Sequence, residues 1–187
     1  MSGNEAEISL VQRAVKRDSA AFATLYDKYV GRIYGYAYYL VHDQKDAEDI
    51  TQEVFIKAWK AIDRYKDIGA PFVAWLTAIT HNLAVNHNRY KSRKKHIPLE
   101  ETEVLSTAVE TNPETMAEVN LNKSYVRKAI LKLKGEKQKI IMMRCIEGFS
   151  YREIAHLLNK SEGSVRVIQY RALSDLRRIL MRGKDTI

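Results

Sequence analysis

Residues 150–173, with the sequence SYREIAHLLNKSEGSVRVIQYRAL, place cationic and aromatic side chains at a spacing that suits DNA reading. Arg166, Tyr170 and Arg171 fall on the polar side of a predicted helix that begins near Gly163. Guanidinium groups bind phosphate oxygens and the acceptor pair of guanine, and the start of such a helix enters a major groove deepest. The outward side chains of this candidate recognition helix are Arg166, Val167, Tyr170, Arg171 and Ser174.

Two helices joined by a tight turn are predicted to hold that helix in place. Ser150 and Glu153 have the spacing of a capping box, and Ser161 can cap the second helix. Asn159 tolerates the left-handed backbone of the turn between them, and Ala155 is small enough for the point where the helices cross. The inner faces are expected to carry Ile154, Leu158, Val165 and Ile168. Together these features predict a helix-turn-helix.

A second candidate DNA-binding segment is the predicted helix of residues 72–95. It carries Thr80, Asn82 and Asn86 among aromatic residues, and it ends in a strongly basic stretch that begins at Arg89. Asparagine side chains can hydrogen-bond exposed base edges, and loop pockets can hold an unstacked base. This helix therefore predicts a nucleic-acid surface whose basic end binds a polyanion.

An acidic helix face is predicted within residues 46–63, DAEDITQEVFIKAWKAID. Asp49, Gln52, Glu53 and Lys57 lie away from the apolar stripe of this helix. The pattern alone is equally consistent with a solvated surface that i,i+4 pairs such as Glu53–Lys57 stabilise. Whether the face binds a partner is left open by the pattern.

The composition and the charge distribution of the sequence indicate how the chain is divided into domains. The net charge is +8, yet residues 97–122 hold six glutamates and no basic residue, between two basic segments. Helical periodicity and scarce glycine and proline predict an all-α fold of two helical domains. We expect domains over residues 1–95 and 121–187, the second containing the helix-turn-helix. Residues 96–120 are expected to form a flexible acidic linker.

Several function classes lack support in the sequence. No nucleotide-binding motif, metal-ligand spacing or catalytic group is recognisable, so neither catalysis nor a cofactor or metal is expected. The one cysteine, Cys145, lies in the apolar run IIMMRCI and is expected to be buried. No apolar stretch is long enough to span a bilayer, and no signal pattern opens the chain. We therefore expect a cytoplasmic protein without membrane insertion.

The acidic helix, the segment FVAWLTAITHNLAVNHNRYKSR and the segment EGFSYREIAHLLNKSEGSVRVIQYRAL, in this order, resemble region two and region four of extracytoplasmic-function sigma factors. The resemblance covers about residues 22–180. It implies a protein that binds core RNA polymerase, selects promoters and helps to open them, and it implies an anti-sigma factor as a further partner. It also implies contacts with the polymerase's clamp coiled coil and flap, and a linker that runs toward the RNA channel.

The resemblance also assigns roles to individual residues. Asp49, Gln52 and Glu53 match the helix that contacts the clamp coiled coil of the largest subunit. Asn82 and its helix match the upstream part of the minus-ten reader, to which the residue pattern adds Thr80, Asn86 and Arg89. The loop that captures a flipped base is matched by Lys66, Asp67, Ile68, Gly69 and Ala70, followed by Pro71. The minus-thirty-five reader is matched by Ser164, Arg166, Val167, Tyr170 and Arg171.

Two other functions compete with this one. A stand-alone helix-turn-helix regulator, whose first domain dimerises or senses a ligand, would explain residues 150–180 but not the acidic face or the asparagine-rich helix. A non-specific RNA-binding protein would explain the charge alone. Both alternatives predict binding to nucleic acid without a polymerase.

Overall fold

A computed structural model describes residues 3–66, 69–94 and 113–184 of the chain. These residues form α-helices joined by short turns and contain no strand, which confirms the predicted all-α fold. The helices are α1 (Gly3–Val15), α2 (Ser19–Val41), α3 (Gln44–Ala61), α4 (Phe72–Lys94), α5 (Pro113–Lys132), α6 (Glu136–Ile141), α7 (Tyr151–Leu158) and α8 (Glu162–Lys184). One 3-10 turn, Ile62–Arg64, extends α3, and one π turn, Met142–Ile146, follows α6.

Helices α1 to α4 form an amino-terminal bundle (residues 3–94) around one apolar core. Side chains at steps of three and four on α2, α3 and α4 point inward, as their periodicity predicts. The innermost are Leu25, Ile33, Val54, Ile62 and Leu76, none of which has more than 2% of its surface exposed. This packing fixes the faces of α3 and α4 that remain outside.

Short acidic caps set where α2 and α3 begin. The Asp18 side chain accepts a hydrogen bond from the Ala21 amide, and the Asp43 side chain accepts one from the Asp46 amide. Each cap satisfies an amide that has no partner within the helix. The cap at Asp43 fixes the residue at which α3, and with it the acidic face, begins.

The carboxyl-terminal unit (residues 113–184) differs from the prediction in two places. Helix α5 begins at Pro113, whereas helix was expected only from Leu121. Cys145 is exposed, so the prediction that it is buried is wrong. The physical reason is the π turn, in which the Glu147 amide bonds the Met142 carbonyl five residues back. A π turn rotates less per residue than an α-helix, so Cys145 does not lie on the side of the helix that faces the core.

Helices α7 and α8 form the predicted helix-turn-helix. Ser150 and Glu153 make both bonds of the capping box, and Asn159 adopts a left-handed conformation with φ of 51°. The Ser161 hydroxyl accepts a hydrogen bond from the Ser164 amide at 3.1 Å, which caps α8. Ala155 is buried where the helices meet. The division into domains 1–95 and 121–187 with a linker stays a prediction, because residues 95–112 lie outside the described part of the chain.

Candidate nucleic-acid interface

The reading face of α8, defined by Ser164, Arg166, Val167, Tyr170 and Arg171, is exposed at every position. Its opposite side is buried, with Val165 and Ala172 each 0% exposed against the core of the helix-turn-helix. Tyr170 stands out furthest, with 77% of its surface exposed. The structure therefore brings all five sequence-predicted residues together on one accessible surface.

Arg166 is held by a neighbour that the sequence analysis missed. Its guanidinium carbon lies over the Tyr151 ring, 4.0 Å from the ring centre, which is a cation–π contact. The Tyr151 hydroxyl in turn donates a 2.6 Å hydrogen bond to Oε1 of Gln169. An exposed ion pair with Glu162, at 3.7 Å, adds little orientation. Tyr151 thus limits the directions in which the Arg166 side chain can point from α8.

Helix α4 exposes only some of the residues that were predicted to bind minus-ten DNA. Asn82, Asn86 and Arg89 are exposed on one side of the helix. Thr80 is 0% exposed, and its hydroxyl donates to the Leu76 carbonyl at 2.8 Å. The structure thus places Thr80 in the core of the bundle, where it cannot contact DNA without unfolding the helix. A short polar side chain can satisfy itself on its own helix, which is why its polarity misled the prediction.

A cavity of about 190 Å³, open to solvent, lies beside the start of α4. Tyr65 and Trp75 provide aromatic walls, with their ring centres 5.1 Å apart. Such faces suit a base that has left the duplex stack, because every base offers a flat π surface. The other lining residues are Arg64, Lys66, Ala70, Pro71 and Leu157. Of the predicted pocket residues, Lys66 and Ala70 line this cavity and Gly69 does not, while Asp67 and Ile68 lie outside the described residues.

The acidic face of α3, defined by Asp49, Gln52 and Glu53, is exposed along its length. Glu53 and Lys57 form the predicted i,i+4 ion pair, with 3.2 Å between Oε1 and Nζ. Beside this face runs an open apolar groove of about 420 Å³ that sequence reasoning missed. Phe22, Tyr26, Phe55, Ile56 and Trp59 provide its apolar lining. A polar strip next to an exposed apolar groove is typical of a protein-binding surface.

The basic end of α4 is not uniformly available for phosphate. Lys91 donates a 2.6 Å hydrogen bond to Asp46, and His87 Nε2 lies 3.0 Å from the same carboxylate oxygen. Burial alone would raise the pKa of Asp46, but the bonds from Lys91 and His87 outweigh burial and lower it. Arg89 and Arg93 remain exposed. These two arginines are therefore better placed than Lys91 to bind DNA.

His81, which precedes Asn82, is buried and joined to the Tyr36 hydroxyl by a 3.1 Å hydrogen bond. Burial, with a smaller effect of Lys139, lowers the pKa of His81 from 6.5 to about 4. Between these values the unfolded chain binds a proton that the folded chain does not. We expect the free energy of unfolding to fall as the pH is lowered from about 6.5 to about 4, measured by denaturant melts.

The variant His81→Gln provides the comparison for this expectation, because glutamine keeps a polar group facing Tyr36 and cannot titrate. Its unfolding free energy should depend less steeply on pH in the same window. Identical pH profiles for the two proteins would contradict the assignment of a neutral buried histidine at this position.

Two features of the described residues bear on other functions. No group of three or more His, Cys, Asp or Glu side chains in this part of the chain could hold a metal ion. No helix formed by the described residues is long and apolar enough to cross a membrane.

Comparison with known proteins gives the same two regions. The chain matches Sigma-70 region 2 over residues 25–94 and Sigma-70, region 4 over residues 123–176. It is 34% identical to the ECF RNA polymerase sigma factor BldN of Streptomyces coelicolor over 92% of this chain and 65% of BldN. The chain therefore spans just under two thirds of the length of BldN. It is 33% identical to the ECF RNA polymerase sigma factor SigW of Bacillus subtilis over 91% of this chain and 94% of SigW.

A solved structure shows the same fold. CnrH, in complex with the cytosolic domain of CnrY, superimposes with a TM-score of 0.65 and 24% identity over 95% of this chain and 98% of that chain. An all-α chain with region 2 followed by region 4 defines the class of RNA polymerase sigma factors. The chain belongs to the extracytoplasmic-function (ECF) family of that class, as its similarity to SigW and BldN shows. A stand-alone helix-turn-helix regulator is not favoured.

Proposed function

We propose that this sigma factor reads a promoter in two places and carries core RNA polymerase to it. The observation that carries the proposal is the pair of separate DNA surfaces on one chain, the reading face of α8 and the exposed side of α4. The first has the groove-entering geometry that suits duplex DNA at the minus-thirty-five element. The second adjoins an aromatic cavity, which suits a base released from melted minus-ten DNA.

The acidic face of α3 is proposed as the polymerase docking surface. Asp49, Gln52 and Glu53 are exposed together, and the ion pair of Glu53 with Lys57 lies within α3, so it does not hold α3 to the rest of the bundle. The adjoining groove supplies apolar area that a purely solvated helix would not need. We assign this surface to the clamp coiled coil of the largest subunit, and the flap to the carboxyl-terminal unit.

The remaining features of the proposal follow from this role. The chain acts by binding and positioning, without chemistry of its own, and it acts in the cytoplasm where the polymerase and the promoter are. An anti-sigma factor is a further proposed partner, for which the apolar groove beside α3 is an accessible binding surface. The predicted linker, residues 96–120, is proposed to run toward the RNA channel of the polymerase.

The proposal predicts weak and strongly salt-dependent binding of the free protein to duplex promoter DNA. Half of the reading surface needs melted DNA, so the attraction of the free protein is mainly electrostatic. Adding core polymerase should convert this into binding at a specific site. Arg93→Ala should reduce the slope of log affinity against log salt by about 1, measured by fluorescence anisotropy.

Lys16→Ala is the matched control, because it removes an exposed cation outside both DNA surfaces. It should leave the salt slope of duplex binding unchanged. Tight and sequence-specific binding by the isolated protein as a dimer would instead support the stand-alone regulator.

A further inference from the structure

The turn between α1 and α2 contains an arginine in a backbone conformation that arginine rarely adopts. Arg17 has a φ of 66°, in the left-handed region, and its amide donates to the Ala14 carbonyl at 2.9 Å where α1 ends. Glycine adopts this conformation without steric cost, whereas a residue with a Cβ is strained there. An arginine at such a position indicates that its side chain contributes something that the turn itself does not need.

The Arg17 side chain extends to the carboxyl end of α3. Its Nη1 atom donates to the Trp59 carbonyl at 2.7 Å, and its Nη2 atom donates to the Lys60 carbonyl at 3.4 Å. Both carbonyls belong to the last turn of α3, where carbonyls lack amide donors within the helix. The ion pair of Arg17 with Asp63, at 3.1 Å, is exposed and adds little. Arg17 thus fixes the end of α3 mainly through its bonds to the backbone.

The same guanidinium lies over the indole ring of Trp59. Its central carbon is 5.4 Å from the ring centre, which is within the range of a cation–π contact. The Phe22 ring of α2 also packs on this indole, with 4.9 Å between the ring centres and 52° between the ring planes. Trp59 is therefore held by a cation from the turn before α2 and by an aromatic ring of α2.

Trp59 and Phe22 line the apolar groove beside the acidic face of α3. The groove is accessible, because Ile56 and Tyr26, which also line it, are 54% and 39% exposed. Gln52 belongs both to the groove lining and to the acidic face, so the two surfaces are continuous. A partner that binds the acidic face therefore also meets the groove.

On the basis of the proposed function, we propose that Arg17 is a positioning residue for polymerase binding. By holding the Trp59 ring against Phe22, it keeps the groove in the shape that takes an apolar side chain of the clamp coiled coil. The acidic face binds cationic groups of the same coiled coil, and Arg17 acts on the polymerase only through Trp59. The match to Sigma-70 region 2 begins at residue 25, so Arg17 and Phe22 lie outside the matched segment.

The test compares two variants of Arg17 in the full-length protein. Arg17→Gly removes the side chain and suits the left-handed turn, so it introduces no backbone strain. Arg17→Lys keeps the charge but loses the planar fork that donates to two carbonyls. The affinity for purified core polymerase should fall roughly three- to tenfold in Arg17→Gly and by less in Arg17→Lys, with helicity by circular dichroism unchanged. Lys16→Ala, which removes the neighbouring exposed cation, should bind core as the wild type does.

A double-mutant cycle with Trp59 separates positioning from direct contact with the polymerase. Trp59→Ala should weaken core binding roughly tenfold, because it removes a large apolar group from the groove. In the Trp59→Ala background, Arg17→Gly should weaken core binding no further, since the residue through which Arg17 acts is absent.

The position of the Trp59 ring can also be followed in the free protein by fluorescence. In a Trp75→Phe background Trp59 is the only tryptophan of the chain. Arg17→Gly should increase the quenching of its emission by acrylamide, because the ring loses the guanidinium that lies over it. Unchanged quenching would mean that Arg17 does not hold the ring, and it would overturn the proposal.

Wild-type core affinity in Arg17→Gly would also overturn it, as would an equal loss in the presence and absence of Trp59, which would indicate a direct contact. The Asp49→Lys, Glu53→Lys double variant separates this result from the proposed function. If this variant loses core binding while the variants of Arg17 and Trp59 do not, the docking surface stands and the role of Arg17 is wrong. If it binds core normally while Arg17 and Trp59 show the expected coupling, the groove and Arg17 stand and the acidic face is wrong.

Discussion

Replacing Asp49 and Glu53 together with lysine is expected to weaken binding to core RNA polymerase by roughly 10- to 100-fold, because like charges placed across an interface cost several kcal/mol. Both side chains are exposed on the acidic face, while Ile50, Val54 and Phe55 hold α3 to the bundle from the other side. Folding should therefore be retained. The measurement is the affinity of each protein for purified core enzyme, with helicity checked by circular dichroism.

Asp27→Lys is the control for charge alone. Asp27 is an exposed acid on α2, outside the acidic face, and its reversal changes the net charge as much as the reversal of Asp49 does. The control should bind core as the wild type does. Undiminished binding by the Asp49→Lys, Glu53→Lys double variant would remove the docking surface from α3.

Arg166→Ala is expected to cost about 1–3 kcal/mol at the preferred promoter and to flatten discrimination at one or two base pairs of the minus-thirty-five element. Arg166 lies near the start of α8, the end that enters the groove deepest. The cation–π contact with Tyr151 at 4.0 Å limits the directions in which its guanidinium can point, which favours a base edge over a mobile phosphate contact. Transcription from a library of upstream-element variants measures the preference.

Two further variants separate recognition of the base sequence from general attraction to DNA. Arg166→Lys keeps the charge but loses the planar fork, so it should lose base preference while keeping more of the affinity than alanine does. Arg171→Ala should weaken all sequences about equally, because a phosphate contact carries no base information. If Arg166→Ala lowers transcription evenly and keeps the base preference, Arg166 holds phosphate and the reader lies elsewhere on α8.

The helix-turn-helix could be predicted in detail because its determinants are local. Ser150 and Glu153 cap each other, and Asn159 provides the turn conformation within the same short segment. Likewise, the Glu53–Lys57 pair follows from positions four apart on one helix. In each case the interacting groups are neighbours along the chain, so their spacing in the sequence already fixes their geometry.

The features that could not be predicted depend on tertiary packing or on a change of helical phase. Lys139 and Asn82 meet only because the two units pack together, and no spacing in the sequence indicates it. Thr80 had the polarity of a surface residue, yet the packing of α4 turns it inward. Cys145 was assigned from an apolar run, but the π turn after α6 rotates it outward. Charge and polarity in the sequence thus identified the candidate binding surfaces, but not every residue that belongs to them.

Promoter selection in complex with core polymerase is the central function proposed for this chain. The deciding measurement is run-off transcription by purified core enzyme from a randomised promoter library, with and without this protein. We expect transcripts that depend on the protein and come from templates enriched in two sequence blocks at a fixed spacing, one upstream duplex element and one at the melted region. Absence of protein-dependent transcripts, or enrichment of a single palindromic site, would contradict it.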